Sequence, residues 1–218
     1  MSFSQRLIQP ELLDHLPPDQ ARPNLADIAR LNRNFGGHSV VRKTLRQALG
    51  AIDRFTLLDV GCASGDIARM IRESYPAARI TCLDCNQLNL ESAPPPKLQA
   101  DAFSLPFRSE TFDFVLSAML LHHFTDENVI ILLRELYRVA RKALLICDLE
   151  RRLIPYIFLP ATKLLFRWTH VTVHDGVRSV RASFRPKELL MLASDAGIKH
   201  SKVQVHRPAY RVSLISNK

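Results

Sequence analysis

The chain has 218 residues, 47% of them hydrophobic and 23% charged, which excludes a largely disordered protein and allows one domain with its own core. Its net charge of +9 favours an acidic partner, such as nucleic acid, an anionic membrane surface or an acidic substrate. The sequence contains no run of about 18 apolar residues, so we predict no transmembrane helix. The first residues lack the pattern of a secretory signal. Basic residues are not interleaved with aromatic ones as in RNA-binding modules, which disfavours nucleic acid as the partner.

The first fifty residues predict a helical cap. One helical segment begins near the prolines Pro17 and Pro18 and ends at the glycines Gly36 and Gly37. A second has apolar residues at helical spacing and ends at Gly50.

From residue 55 onward, short apolar runs alternate with amphipathic segments. This alternation predicts one α/β domain with a mostly parallel sheet, and two alternating runs around a proline turn predict a closing C-terminal antiparallel hairpin. We predict seven strands, at residues 55–60, 79–84, 97–101, 112–117, 143–149, 202–206 and 211–216. We predict helices at residues 66–75, 127–140 and 186–197.

A glycine turn, DVGCASGD (residues 59–66), follows the first predicted strand. A P-loop would end in Gly-Lys-Ser/Thr, which is absent. A dinucleotide fingerprint would place a glycine where Ala63 stands. It would also place a pyrophosphate at the helix N-terminus, where the carboxylate of Asp66 repels an anion. The turn therefore favours a ligand without phosphate.

Four ordered segments within residues 55–150 resemble the class I S-adenosylmethionine-dependent methyltransferases. They are DVGCASG (59–65), LDCN (83–86), ADAFSLPF (100–107) and FDFVLSAMLLHHF (112–124). The first is similar to the family motif D/E-x-G-x-G-x-G, with Ala63 at the middle glycine. The resemblance implies a Rossmann-like fold with S-adenosylmethionine as the cofactor. ARLNRNFGGH (29–38) and HDGVRSVRASFRPKELL (174–190) also resemble small bacterial methyltransferases encoded beside polyketide synthases.

The resemblance also implies roles for individual residues in the cofactor pocket. Asp84 would accept hydrogen bonds from both ribose hydroxyls, each contributing about 1.5–3 kcal/mol because the acceptor is charged. Asp101 would meet the adenine amino group, and Ser117 would lie beside the methionine part. The predicted cofactor residues are Asp59, Gly61, Cys62, Ala63, Gly65, Asp84, Cys85, Asp101, Ala102, Phe103 and Ser117. Arg33, Gly36 and Gly37 are further candidates for the cofactor carboxylate, although helix termination explains the two glycines equally well.

The four cysteines predict a reducing, cytoplasmic location because they are too few for a disulfide framework. Cys82 and Cys85 form a C-x-x-C. Zinc would need a second pair of ligands, and a redox motif normally opens a helix. We therefore interpret these two cysteines as structural and predict no metal site.

Methyl transfer from a sulfonium needs mainly proximity, with a general base if a hydroxyl must lose its proton. His122 is the candidate base, followed by His123 and His174, although the LHH segment can equally shape its loop. The sequence SAML (117–120) replaces the N/D/S-P-P-Y/F motif of DNA and RNA amino methyltransferases, and no Pro-Cys supports cytosine-C5 chemistry. RNA methylation at other atoms stays open.

Residues 151–186 interrupt the alternation of strands and helices and are rich in large apolar side chains. They predict a lid over a hydrophobic acceptor, or packing against the core or a dimer partner. Arg178 and Arg181 could hold an acceptor carboxylate or phenolate, or only fix this lid.

We therefore predict one methyltransferase domain. Its parts are a helical cap at 1–50, a cofactor core at 55–150, the lid at 151–186, and a closing helix and hairpin at 187–218. The predicted function is methyl transfer to a small hydrophobic acceptor, such as O-methylation of a phenolic, polyketide or quinone-like molecule. An RNA methyltransferase and a non-catalytic S-adenosylmethionine-binding interaction protein are the alternatives. The sequence is also compatible with a homodimer and with peripheral membrane proximity.

Overall fold

Seven strands form one sheet within residues 3–13 and 16–218, which are the residues that the computed structural model describes (only the backbone at Pro18). The strands are β1 (Thr56–Val60), β2 (Arg79–Asp84), β3 (Lys97–Gln99), β4 (Phe112–Ala118), β5 (Ala140–Leu149), β6 (Ser201–His206) and β7 (Arg211–Asn217). Their order is β3-β2-β1-β4-β5-β7-β6. The first five strands pair in parallel, and β7 runs antiparallel to β5 and β6.

Helices cover both faces of this sheet. They are α1 (Pro18–Asn34), α2 (Gly37–Leu49), α3 (Asp66–Ser74), α4 (Gln87–Leu90), α5 (Asp126–Val139), α6 (Leu153–Phe166), α7 (His170–Ala182) and α8 (Pro186–Asp195), with a 3₁₀ turn at Leu121–His123. One buried cluster joins α5 and α8 to the sheet, and a second joins α2 and α3 to the opposite face. All seven residues of β4 are buried, since a central parallel strand is covered on both sides.

The predicted α/β fold with a seven-stranded, mostly parallel sheet and a C-terminal hairpin is confirmed. The third strand ends at Gln99 rather than at residue 101. The chain turns at Asp101, because the carboxylate of Asp101 accepts a hydrogen bond from the Phe103 amide at 2.9 Å. The fifth strand begins at Ala140, three residues earlier than predicted. Residues 153–182 form the two helices α6 and α7. No helix in the described part of the chain is long and apolar enough to cross a bilayer.

Candidate active site

The glycine turn joins β1 to α3 at the carboxyl edge of the sheet. Gly61, Ala63 and Gly65 all have positive φ, at 71°, 46° and 72°. The amides of Gly61 and Cys62 donate to the Leu83 carbonyl at 2.8 and 3.1 Å, which ties the turn to the end of β2. Ala63 therefore keeps the left-handed backbone of the glycine it replaces, at a cost of about 1–2 kcal/mol. A side chain added at Gly65 would meet Pro94 at 2.5 Å, so this position needs glycine for space as well.

Asp84 ends β2 directly beside this turn and is buried. One carboxylate oxygen accepts the Ala63 amide at 3.0 Å. The other accepts the Asn86 amide at 2.9 Å and the Asn89 side chain at 3.1 Å. A carboxylate has about four acceptor positions, so these three donors leave roughly one for an external hydroxyl. Binding both ribose hydroxyls would require one of the three protein donors to move.

Two other predicted cofactor residues carry buried polar atoms without a partner in the described residues. Asp59 Oδ2 and Ser117 Oγ make no hydrogen bond, and both residues are at most 1% exposed. Burial raises the pKa of Asp59 well above its usual range, and the nearby carboxylates of Asp66 and Asp84 raise it further. Unsatisfied buried atoms are uncommon and costly, and these two lie where the resemblance predicts a ligand.

The remaining cofactor candidates lie on the surface side of the same edge. Asp101 is exposed, and Ala102 and Phe103 are half-buried. Phe103 packs edge-to-face on Phe124, with ring centroids 5.0 Å apart. The strands β1 to β4 therefore bring all these candidates to one edge, which is where parallel sheets bind ligands.

The C-x-x-C does not act as a pair. Cys82 is buried in β2 and its thiol faces Cys62, whereas Cys85 is exposed beyond the strand end. The hydrogen bond to Cys82 and burial both raise the pKa of the Cys62 thiol. The four cysteines, all among the described residues, form no disulfide.

A cavity of about 640 Å³ opens beyond the ends of β4 and β5, beside helices α6 and α7. Most of its wall is apolar and comes from α1, from the residue that follows α1, and from α6 and α7. The apolar residues include Ile28, Leu31, Phe35, Phe158, Leu159 and Val180. Polar side chains, among them Glu11, His122 and Asp175, also line it. Such a wall suits a small ligand that is largely apolar but carries a polar group.

His122 is buried and is held by Asp148 of β5. The His122 Nδ1 to Asp148 Oδ1 distance is 2.7 Å, and the His122 amide also donates to this carboxylate at 3.3 Å. Its Nε2 lies 3.9 Å from Glu11 Oε1. Burial lowers the pKa of His122, but the carboxylates of Asp148 and Glu11 outweigh it and leave the pKa raised. This is the arrangement of a base whose orientation and tautomer are set by a buried acid.

Glu11 reaches this site from the N-terminal segment. The amides of Leu12 and Leu13 donate to Asp175 at 2.9 and 3.0 Å, and Ser179 donates to Glu11 itself. Burial raises the pKa of Glu11, and His122 partly offsets this.

The other histidine and arginine candidates have structural contacts. His123 stacks on His122, with ring centroids 4.4 Å apart, and His174 bonds Asp175 at 2.8 Å. Arg178 donates to the Pro10 carbonyl, and the Arg181 guanidinium lies 5.6 Å from the Phe3 ring. These arginines therefore fasten the N-terminal segment to α7. Gly36 lines the cavity, whereas Gly37 begins α2 and Arg33 is exposed.

Sequence reasoning missed Asp148 and Glu11. Asp148 had a signal, because a single acid stood inside an otherwise apolar predicted strand. Glu11 had none, because its contact with His122 spans more than a hundred residues and depends on how the N-terminal segment packs.

The family described as "Methyltransferase domain" matches residues 58–146. Together with the strand order and the glycine turn, this match assigns residues 58–146 to a methyltransferase domain.

Known proteins are similar in sequence to part of the chain. A demethylmenaquinone methyltransferase of Thermotoga maritima is 30% identical over 119 residues, covering 51% of this chain and 51% of its own length. A ubiquinone/menaquinone biosynthesis C-methyltransferase of Desulfotalea psychrophila is 35% identical over 94 residues, covering 39% and 37%. The chain thus spans about half or less of these relatives.

Solved structures share the fold over nearly the whole chain. A SAM-dependent methyltransferase of Aquifex aeolicus has a TM-score of 0.61 at 17% identity and covers 93% of this chain and 98% of its own. A plantazolicin methyltransferase, solved with a desmethylPZN analog and SAH, has a TM-score of 0.69 at 13% identity and covers 94% and 92%.

Proposed function

We propose that the protein transfers a methyl group from S-adenosylmethionine to a hydroxyl group of a small, largely apolar acceptor. The observation that carries this proposal is the apolar cavity of about 640 Å³ that has His122 in its wall. Met119 and His122, which follow β4, extend from the cofactor edge of the sheet into the cavity wall. The quinone methyltransferase names of the sequence relatives agree with an apolar acceptor.

The residues at the sheet edge fit the cofactor that the family implies. Two buried polar atoms, Asp59 Oδ2 and Ser117 Oγ, have no partner among the described residues and can bond to a ligand. The left-handed turn at residues 61–65 lies beside them. We assign the ribose to Asp84, the adenine to the backbone and side chains at 101–103, and the methionine part to the Ser117 strand end. When bound, S-adenosylmethionine supplies an electrophilic methyl group on its sulfonium.

His122 is the residue we assign to proton transfer. Its Nδ1 donates to Asp148, which leaves Nε2 to take the proton of the acceptor hydroxyl as the oxygen attacks the methyl carbon. Asp148 is then a positioning residue, and it also stabilises the imidazolium that forms. The apolar walls hold the acceptor and exclude water, so orientation supplies most of the acceleration.

Metal binding is the other use that this cluster could have. Ligand atoms of Glu11, His122 and His123 lie within 4.8 Å of one another. The two imidazole planes, however, are inclined by only 28° and are stacked 4.4 Å apart. In-plane lone pairs of nearly parallel rings run side by side and do not converge at the 2.0–2.1 Å that a zinc ion requires. We therefore favour proton transfer.

An RNA acceptor is the second candidate. A tRNA (carboxymethyluridine(34)-5-O)-methyltransferase of Schizosaccharomyces pombe is 30% identical over 90 residues, covering 41% of this chain and 37% of its own. The apolar lining of the cavity disfavours this candidate, because RNA recognition relies on cationic grooves and exposed aromatic platforms.

Calorimetric titration with S-adenosylhomocysteine tests the cofactor assignment. We expect wild-type protein to bind it and not NAD. Asp84→Ala should lose about 1.5–3 kcal/mol of binding free energy, because the carboxylate has roughly one acceptor position left for a ribose hydroxyl. Asp53→Ala, which removes an exposed acid near β1, is the control and should bind as wild type. Unchanged affinity in a folded Asp84→Ala variant would contradict the assignment.

Turnover then tests the acceptor class. Methylation of simple phenols, or of hydroxyquinones with an apolar side chain, would support the proposal. A protein that binds S-adenosylhomocysteine but methylates only RNA would overturn the acceptor assignment and leave the cofactor site intact. A protein that binds it and methylates neither class would support the interaction-protein alternative.

A further inference from the structure

Helix α6 exposes a continuous apolar face. Leu164 is 91% exposed and Leu165 76% exposed, and Leu153, Ile154 and Ile157 are also largely exposed. Leu153, Ile157 and Leu164 follow one another at intervals of four and seven residues, which places them on one side of the helix. Residues 164 and 165 are not among those that line the cavity.

The inner side of the same helix forms the cavity wall. Pro155, Phe158 and Leu159 contact the cavity, and Phe158 also packs on Phe35, which directly follows α1, with ring centroids 5.0 Å apart. Helix α6 is thus apolar on both sides although it lies on the surface. A helix that is apolar all round is normally buried on all sides. We therefore expect the outer face of α6 to pack against another surface.

Cations outnumber acids around the outer face. Residues 151–174 contain no aspartate or glutamate. Arg152 and Arg167 are exposed at the two ends of α6, and Lys163 is half-buried beside Leu164. Arg152 is paired with Glu150 at 2.9 Å, and Glu150 also binds Arg207, so this group of three keeps one positive charge. An apolar stripe flanked by an excess of cations complements a surface with an apolar interior and anionic groups at its rim.

A second copy of the chain fits this face less well. A two-fold interface would bring the same patch onto itself, so Lys163 and Arg167 would meet the same cations of the other copy. The neighbouring acid Glu150 already pairs with Arg152 and Arg207 and is not free to offset them. Lipid headgroups supply the missing negative charge.

We propose that the outer face of α6, defined by Leu153, Ile157, Leu164 and Leu165 with Arg152 and Arg167, docks on an anionic lipid bilayer. The leucines and the isoleucine enter the apolar layer, and the arginines contact the headgroups. An apolar acceptor then passes from the bilayer past α6 into the cavity. This step rests on the proposed function.

Vesicle co-sedimentation of the full chain tests this docking. We expect binding to vesicles of phosphatidylglycerol and phosphatidylcholine, weaker binding as salt is added, and little binding to phosphatidylcholine alone. Leu164→Asp with Leu165→Asp should weaken binding by at least about tenfold, because two charges replace the inserted side chains. Met191→Asp, at a residue of α8 that is 64% exposed, is the matched control and should bind as wild type.

Affinity for S-adenosylhomocysteine separates this inference from the proposed function, and it should be the same in all three proteins. Absence of wild-type binding to the anionic vesicles, or equal binding by the double variant, would overturn the docking. So would a dimer in sedimentation velocity that the double variant abolishes, because the face would then belong to a second copy. Failure of methyl turnover with intact vesicle binding would overturn only the acceptor assignment.

Discussion

The protonation of His122 depends on three charged neighbours. Burial lowers its pKa, the charge and hydrogen bond of Asp148 raise it, Glu11 raises it further, and Arg6 opposes them. The net pKa is above the ordinary value of 6.5. Burial raises the pKa of Asp148, but His122 lowers it more. The two residues therefore form an ion pair below the raised pKa of the imidazole, and Nε2 becomes a base only above it.

This pairing predicts the pH profile of kcat/KM for any acceptor that loses a proton. The rate should fall as the pH drops through a midpoint above 6.5, because the imidazolium cannot accept the hydroxyl proton. His122→Asn should remove this acidic limb along with most of the rate. Asp148→Asn should move the midpoint to lower pH, because the charge that raises the pKa of His122 is gone.

Asp195→Asn is the control for the pH profile, since this residue ends α8 and is exposed. Its profile should match that of wild type. A midpoint that stays in place in Asp148→Asn would show that Asp148 does not govern the protonation of His122.

At the scale of the elements, the corner between α1 and α2 connects these two N-terminal helices to the glycine turn. His38 Nε2 lies 2.9 Å from Asp66 Oδ2, and the Asn32 side chain donates to the same oxygen at 3.3 Å. Asp66 begins α3 directly after the glycine turn. Gly36, with φ at 99°, lets this corner approach the β6–β7 turn, where an added Cβ would lie 2.3 Å from the Ala209 Cβ.

Because of this close approach, we expect Gly36→Ala to lower the free energy of unfolding by more than the positive φ alone explains. Gly197→Ala is the matched variant, because Gly197 also has a positive φ, at 78°, but has no atom near an added Cβ. We expect about 1–2 kcal/mol from backbone strain at Gly197, and about 1–3 kcal/mol more at Gly36 from the collision. Urea unfolding measures both. If the two variants lost the same free energy of unfolding, the backbone around Ala209 would have to move away from the added methyl group without an energetic penalty.

At the scale of the whole molecule, buried arginines hold the N-terminal segment across the lid and α8. Arg151 is 1% exposed and donates to the carbonyls of Phe3 (3.1 Å), Ser4 (3.3 Å) and Ser183, and to the carboxylate of Glu188. One side chain therefore connects the first described residues, the end of α7 and the start of α8. The same N-terminal segment carries Glu11, which lies 3.9 Å from His122.

Replacement of this arginine tests the network. Arg151→Met should lower the free energy of unfolding by about 2–4 kcal/mol, because three carbonyls and a partly buried carboxylate lose their donor. Arg54→Met, at an exposed residue, should change it by no more than about 0.5 kcal/mol in the same urea titration. A loss as small as that of the control would mean that water replaces the guanidinium at these carbonyls.

Local sequence patterns were enough for most of the fold. The apolar runs at β1, β4 and β5 predicted buried parallel strands because the spacing of apolar residues determines which faces can be covered. The glycines at 61 and 65 and the acid at the end of β2 predicted the ligand edge, because a tight turn and a strand-end carboxylate are local features. The structure places Asp59, Asp84 and Ser117 at that one edge, and their contact with a cofactor stays a prediction.

The sequence by itself therefore determined the class of domain, the sheet, the edge that we predict to face the cofactor and His122 as a candidate base. Only the tertiary structure decided what surrounds His122, because Asp148 comes from β5 and Glu11 from the N-terminal segment, and no local pattern encodes contacts between such distant residues. The same holds for α6. Its composition predicted an apolar lid, but only packing against Phe35 separated the side chains that line the cavity from those that face outward.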